Sequence, residues 1–291
     1  GKSPVASYVG DERDEPLQRA ALARAVDSIL PDFANVDYPD WESLLTRWNA
    51  DAPAGAVLFI DEFQSVVGAS PSFPSVLQKA LDAPDRRQHV IICGSSQRMM
   101  SGVVLDRSSA LYGRAQEILK LSPLHMRWLQ KAIGGKDPRE LLGHYAVWGG
   151  VPRYWELAKD HASLEEAILE CVLSPLGVLH QEPDRLLRDD MTRTRQAASI
   201  LVLIGRGCHR LSEIAARMEK PATSLSRPLQ TLLELGLVRR ETPFGQSGKT
   251  SKRSLYQIED PFLRFWATLV DPHRSRLQSG LAPKVWKASK Q

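Results

Sequence analysis

Only three cysteines occur in the 291 residues, Cys93, Cys171 and Cys208, and they lie far apart with no CxxC or Cys/His ligand spacing. That argues against a disulfide framework or a zinc site and fits a reducing cytosol. No apolar run approaches the roughly 18–20 residues that span a bilayer, so no membrane partner is expected. The opening GKSPVASYVGDERDE has no signal-peptide h-region, and a cytoplasmic location is expected. Internal repeats and low-complexity segments are absent. So is a complete GxxxxGK[ST] phosphate loop; only its tail is suggested, by Gly1-Lys2-Ser3.

What is present is ordinary for a globular chain. Hydrophobic residues make up 43% and charged residues 25%, enough to bury a sizeable core. The length is a soft prior for two domains. The net charge of +4 hides an asymmetry. Residues 185–291 hold 20 Lys and Arg against 9 Asp and Glu, a net of +11, while residues 1–184 carry a net of −7. A basic C-terminal half points to a polyanion partner; plain solubility is the alternative.

The first half alternates strand and helix signals. Val5–Val9 reads as a strand, Pro16–Leu30 and Trp41–Trp48 as helices, the second with Asp40 as N-cap. The continuous apolar run Ala56–Ile60 reads as a strand buried on both faces. A helix near Ser75–Leu81, a strand at Val90–Cys93 and another near Glu117–Leu121 follow. Together they predict an α/β fold, a parallel sheet with helices on both faces. From His125 to about Arg195 only helices are signalled, near His125–Ile133, Pro138–Ala146 and Ser163–Leu173. Beyond Thr194 come three helices, to Ile204, at Ser212–Glu219 and near Thr223–Leu235. Two strands, LVRRE and RSLYQI, then flank a polar tip. Three helices and a hairpin make a winged helix-turn-helix plan.

The strongest chemical signal is VLFIDEFQ, residues 57–64. Ligands in an open α/β sheet bind beyond the carboxyl ends of the strands, where Asp61 and Glu62 emerge. In P-loop ATPases the first acid helps hold Mg²⁺; the second would polarise the attacking water. Solvated acids at an ordinary strand end are the alternative. HVIICGSS begins 28 residues after Asp61, room for a helical crossover, and brings Ser95 and Ser96 to the same sheet edge for a sensor role. Gly1-Lys2-Ser3 does not serve as the phosphate loop. Val5–Val9 is strand-like and Gly10-Asp11 ends it, so no helix long enough to cross the sheet follows. The loop, its strand and its helix are therefore expected upstream, leaving an N-terminally truncated P-loop NTPase-like sheet.

VLFIDEFQ, IICGSS, LYGRAQEILKLSPL, WGGVPRYWEL and YQIEDPFLRFW, in this order over nearly the whole chain, resemble the archaeal-type AAA-like (DEXX-box) ATPases of prokaryotes. These carry a C-terminal domain of unknown function. The resemblance implies a P-loop ATPase followed by a winged helix and, in many members, a nuclease-like domain. No Asp…ExK candidate follows residue 271, so nuclease activity is not expected. By the same resemblance Asp61 and Glu62 fall on the Walker B acids, and Ser95 and Ser96 on the sensor strand. Arg114 falls on the YGR arginine, which reaches a phosphate or a neighbouring subunit, or else makes a salt bridge. VASYVGDE matches the second strand. ATP and Mg²⁺ are the implied cofactors of the complete protein.

If the winged helix binds duplex DNA, its third helix offers Ser224, Arg227 and Gln230, and its wing Lys249, Lys252 and Arg253. Pro228 is awkward there, because a proline inside a helix costs about 3 kcal/mol. The helix should start late or kink. Protein docking, self-association and a purely structural role remain alternatives. The aromatic stretch 261–270 reads as core. The expected organisation is an ATPase core over 1–124, a helical lid or connector over 125–193, a winged helix over 194–260 and a further segment over 261–291. The expected function is a regulatory ATPase that couples nucleotide state to a DNA- or protein-binding winged helix, with little turnover as the chain stands. Its rivals are a non-catalytic DNA-binding protein on a degenerate ATPase scaffold and a toxin–antitoxin or defence component.

Overall fold

The computed structural model describes residues 3–134, 137–190, 194–244 and 254–290. The chain divides into two compact units, 1–119 and 120–291. Among the described residues no helix is long and apolar enough to cross a membrane.

In the first unit three strands, β1 (Val5–Val9), β2 (Val57–Asp61) and β3 (His89–Ile92), pair in parallel in chain order. Helices α1 (Glu15–Asp27) and α2 (Trp41–Asp51) connect β1 to β2. Helices α3 (Phe63–Ala69) and α4 (Phe73–Leu81) connect β2 to β3, and α5 (Gln97–Val104) follows. Asp40 caps α2, its carboxylate accepting the Ser43 N–H at 2.7 Å. Trp41, Leu44, Leu45 and Trp48 recur at helical spacing along α2 and all are buried. They share one core with Ala6, Tyr8, Leu58 and Ile60 of the sheet and with Phe63, Val66, Phe73 and Leu77 of α3 and α4.

The expectation of a sheet covered on both faces is not met. On β1 and β2 alternate residues are buried, while Val5, Val9 and Ile91 on the three-stranded sheet are half exposed. The reason is topological. Strand order follows chain order without reversal, and right-handed crossovers advancing in one direction deliver every connection to one side. The strand expected near Glu117–Leu121 does not form either. That segment has no regular structure, and Leu119 and Leu121 are 76% and 87% exposed. Alternating apolar residues make a strand only where a neighbour accepts their hydrogen bonds.

The second unit is helical with a small hairpin. Helices α6 (Met126–Ile133), α7 (Pro138–Trp148) and α8 (Pro152–Lys159) lead to α9 (Leu164–Ala167), which continues as a π-helical turn over Ile168–Leu173. After α10 (Glu182–Asp190) come α11 (Thr194–Gly205), α12 (Leu211–Arg217) and α13 (Ala222–Glu234). Antiparallel β4 (Val238–Glu241) and β5 (Leu255–Ile258) follow. The backbone of His209 extends this ribbon, its carbonyl accepting the Tyr256 N–H at 2.8 Å. α14 (Pro261–Phe265) runs on as a π-helical turn over Trp266–Val270, and α15 (Arg274–Gln278) and α16 (Ala282–Ser289) follow.

One apolar core joins Trp148, Trp155, Ile168 and Val172 to Ile200, Ile214, Leu225, Leu229, Phe262 and Trp266. The aromatic stretch is thus core material. Glu182 is buried in its midst but satisfied, accepting from the Tyr154 hydroxyl at 2.9 Å and from Arg185 at 2.8 Å. Two local readings change. α12 does not begin at Ser212 but a residue earlier, at Leu211; there the Arg210 N–H donates to the Glu213 carboxylate at 3.1 Å. Nor does α13 start late: it begins at Ala222 and carries Pro228 inside, buried with Leu225, Leu229 and Leu232.

Candidate functional site: an acidic strand end and a helix-turn-helix

Asp61 is the last residue of β2 and Glu62 the first beyond it. Glu62 turns the chain from strand to helix with φ +49°, in the left-handed region. For a residue with a Cβ that conformation costs about 1–2 kcal/mol and persists where surrounding contacts over-determine it. Three contacts do so here. The Glu62 N–H donates to Asp61 Oδ1 at 2.9 Å, Phe63 N–H to the Cys93 carbonyl at 2.9 Å, and Gly10 N–H to the Asp61 carbonyl at 2.9 Å. Gly10 is a close approach. A Cβ there would lie 2.8 Å from the Glu62 carbonyl and 2.7 Å from Val66 Cγ2. The loop it opens is pinned by buried Gln18, whose Nε2 donates to the carbonyls of Asp11 and Arg13 at 2.9 and 2.8 Å, while Tyr8 holds its Oε1.

The neighbouring strand supplies the rest. Cys93 N–H donates to the Ile60 carbonyl at 2.8 Å, which sets Gly94 and Ser95 beside Glu62. Ser95 Oγ donates to Glu62 Oε2 at 3.2 Å. Gln64 Nε2 donates to that same oxygen and, at 2.9 Å, to Ser95 Oγ. Ser96 takes a different place: it is buried and caps α5, its hydroxyl accepting the Met99 N–H at 3.2 Å. Arg114 is not brought to the acids. Its guanidinium grips the Asp82 carboxylate at 2.9 and 2.7 Å, in the connection that enters β3 from its amino end. The structure therefore gathers Asp61, Glu62 and Ser95, adds Gln64 and Cys93, and leaves Arg114 at an ion pair. Gln64 was legible as the fourth letter of DEFQ, but nothing in the letter gave it a role.

The Cys93 thiol is pushed above its ordinary pKa by burial, by its hydrogen bond to Asp61 and by the charges of Asp61 and Glu62. A raised value leaves less thiolate at a given pH, and the thiolate is the nucleophile. Asp61→Asn removes two of these causes. Alkylation of Cys93 at pH 8 should then accelerate, because more of the thiol is ionised at that pH. Cys171 and Cys208 are buried, so mass spectrometry can follow the one exposed thiol. An unchanged or slower rate would show that Asp61 does not govern it.

In the second unit α12 and α13 are joined by a turn in which Glu219 takes φ +52°. Ser224 is half buried, its hydroxyl donating to the Pro221 carbonyl at 2.8 Å, and Gln230 holds Glu234 at 2.9 Å. Arg227 is exposed and in no ion pair among the described residues. Arg217 and Lys220, on either side of Glu219, share that condition and were not singled out from sequence. Two cations flanking a short interhelical turn were the available signal. By contrast Arg239 on β4 is engaged with Glu241 and Glu259. Lys249, Lys252 and Arg253 lie outside the described residues.

Residues 197–242 match the IclR helix-turn-helix domain. The IclR helix-turn-helix match begins inside α11 and ends just beyond β4, so it contains Arg217, Lys220 and Arg227. MJECL04, an uncharacterized protein of Methanocaldococcus jannaschii, is 29% identical over 231 residues, covering 77% of this chain and 51% of that protein. The chain thus spans about half the length of the curated relative it matches. Among solved structures it is similar to Aeropyrum pernix ORC2 in ADPNP and ADP complexes. The TM-score is 0.48 and the identity 17%, over 97% of this chain and 90% of that one. Aeropyrum pernix ORC1 in complex with DNA scores 0.36 at 14% identity, over 94% and 80%. The Thermotoga maritima RuvB Holliday junction branch migration motor scores 0.35 at 17%, over 85% of each.

Proposed function

We propose that the protein is a DNA-binding regulatory ATPase module, with its nucleotide edge at Asp61 and Glu62 and its DNA surface on α12 and α13. The observation that carries the first half is the convergence of two carboxylates and the Ser95 hydroxyl at the carboxyl edge of a parallel sheet, where such sheets bind ligands. The donor set fits Mg²⁺: adjacent hard oxygens suit a small hard cation. Asp61 would hold the ion, which supplies charge neutralisation for a terminal phosphate, and Glu62 would accept the proton of an attacking water. Ser95 offers a hydroxyl donor beside that position. The helical stretch 125–193 would act as connector, and the segment after 260 would brace the winged helix. Because the sequence contains no complete GxxxxGK[ST] run, the 291-residue chain should release little phosphate from ATP.

The second half is supported by Arg217, Lys220 and Arg227, exposed and in no ion pair among the described residues, within the IclR helix-turn-helix match. The rival reading, a DNA-binding protein whose acidic edge is vestigial, draws on the same surface. Mn²⁺ titration separates the two: binding by the chain that disappears in Asp61→Asn supports the ATPase-type reading, and no binding leaves the rival. Phosphate release from ATP that vanishes in Glu62→Gln would overturn the expectation of low turnover. A duplex that fails to shift at low salt, with or without Mg²⁺ and ATP, would remove the DNA half.

A further inference from the structure

Helix α6 buries one stripe and leaves a tryptophan outside it. Leu129 is fully buried, and Met126, Ala132 and Ile133 pack against the core of the second unit. Trp128 does not join them: 40% of it meets solvent. Of the seven tryptophans it is the exposed one, the others being buried or packed on a core. Two cations attend it. Lys131 Nζ lies 4.8 Å and Arg127 Cζ 5.3 Å from the indole centroid, within cation–π range. Neither is in an ion pair among the described residues. At 3.6 residues per turn, the residue before Trp128 and the residue three after it stand to the same side of it. The exposure is what remains with both cations in place. The surrounding sequence is basic too. Residues 118–136 hold four Lys and Arg and no Asp or Glu, inside a half of the chain whose net charge is −7.

We propose that α6 is a binding platform for single-stranded nucleic acid, carried by a different element from the duplex surface on α12 and α13 and independent of that reading. A base stacks on the indole, and the phosphates beside it meet Arg127 and Lys131. A cation that leaves the ring for a phosphate exchanges a weak negative partner for a full charge, and the ring is opened to the base by the same movement. Other partners leave part of this face unused. The paired bases of a duplex are covered by their neighbours and offer an indole no free face. Acidic side chains engage the cations but have no flat surface for the ring. A lipid surface takes up the apolar stripe of a helix, and that of α6 is already buried.

Titration of the full chain with a short oligothymidylate, a strand that does not pair with itself, tests this. Binding should quench tryptophan fluorescence. Trp128→Ala should weaken it by about 5-fold to 150-fold, the range of one base–aromatic stack, and Trp128→Phe should keep most of it. Arg127→Ala combined with Lys131→Ala should flatten the slope of log K against log salt by about 1.4, at about 0.7 for each single-strand phosphate contact. These side chains lie outside the core, so the variants should melt with the parent. Binding that survives alanine at Arg217, Lys220 and Arg227 but falls in Trp128→Ala supports the platform. The reverse pattern places the strand on the helix-turn-helix, which overturns the platform and leaves the duplex reading standing. Equal affinity in Trp128→Ala and the parent also sinks it. Inorganic polyphosphate that binds as tightly as oligothymidylate reduces the face to bare charge. Polyglutamate binding without oligothymidylate binding assigns it to an acidic protein instead.

Discussion

Replacing Arg217, Lys220 and Arg227 together by alanine is expected to weaken binding to a duplex about 100-fold at 0.1 M salt, roughly 1 kcal/mol per lost cation. It should also flatten the salt dependence. Each phosphate contact contributes about −0.9 to the slope of log K against log salt, so the triple variant should be shallower by about 2 to 3. The expectation follows from what these side chains do not touch. They stand exposed around the turn between α12 and α13 and make no ion pair among the described residues. Their removal should therefore change stability by no more than about 0.5 kcal/mol each, as is usual for surface positions. Affinity and stability can then be read separately by fluorescence anisotropy and thermal melting. Equal affinity and equal slope in variant and parent would mean that this helix-turn-helix serves something other than DNA. Loss of affinity with an unchanged slope would mean that the cations act on bases rather than phosphates.

Gly10→Ala should destabilise the first unit by about 1–3 kcal/mol, the usual cost of forcing an extra methyl into a packed site. The added carbon would meet the Glu62 carbonyl and Val66 Cγ2 at 2.8 and 2.7 Å. A side chain can yield; the carbonyl belongs to the strained turn that places the acid pair and cannot. Gly68→Ala is the matched control, because a Cβ at that point of α3 meets nothing within 4 Å. Alanine is the better helix former by about 0.8–1.0 kcal/mol, so the control should be neutral or stabilising. Chemical denaturation of the two variants checks this. Equal midpoints would show that the loop after β1 can back away from Glu62 at no cost.

The sequence announced the elements whose signal is local. Asp40 before an amphipathic run named its helix, and an apolar run ending in two acids named β2. Leucines at helical spacing named α13. The parallel order also followed, because strands separated by helices have few other ways to pair. What could not be read is set by neighbours. Residues 117–121 have the apolar pattern of a strand, yet a strand exists only with a partner for its backbone. Covering of both sheet faces was inferred from the run in β2, but coverage depends on the direction in which the crossovers advance. Pro228 looked disruptive because its cost is local, whereas burial among three leucines of the same helix is a tertiary gain. At the candidate site the acid pair and Ser95 were legible as types at a strand end. The left-handed turn at Glu62 and the position of Gln64 were not. Both arise from contacts between segments some 30 to 50 residues apart, such as Gly10 with Glu62 and Gln64 with Ser95.

The half-wet side of the β1–β2–β3 sheet has a thermodynamic consequence. Unfolding raises the heat capacity in proportion to the apolar area newly given to water, about 12–15 cal/mol/K per residue in ordinary domains. Val5, Val9 and Ile91 already meet solvent in the native state. The first unit therefore has less apolar area left to release, and its heat-capacity increment per residue should be smaller than if that face were covered. Its free energy of unfolding then traces a broad, shallow arc with temperature, retaining much of its value in the cold and yielding gradually on heating.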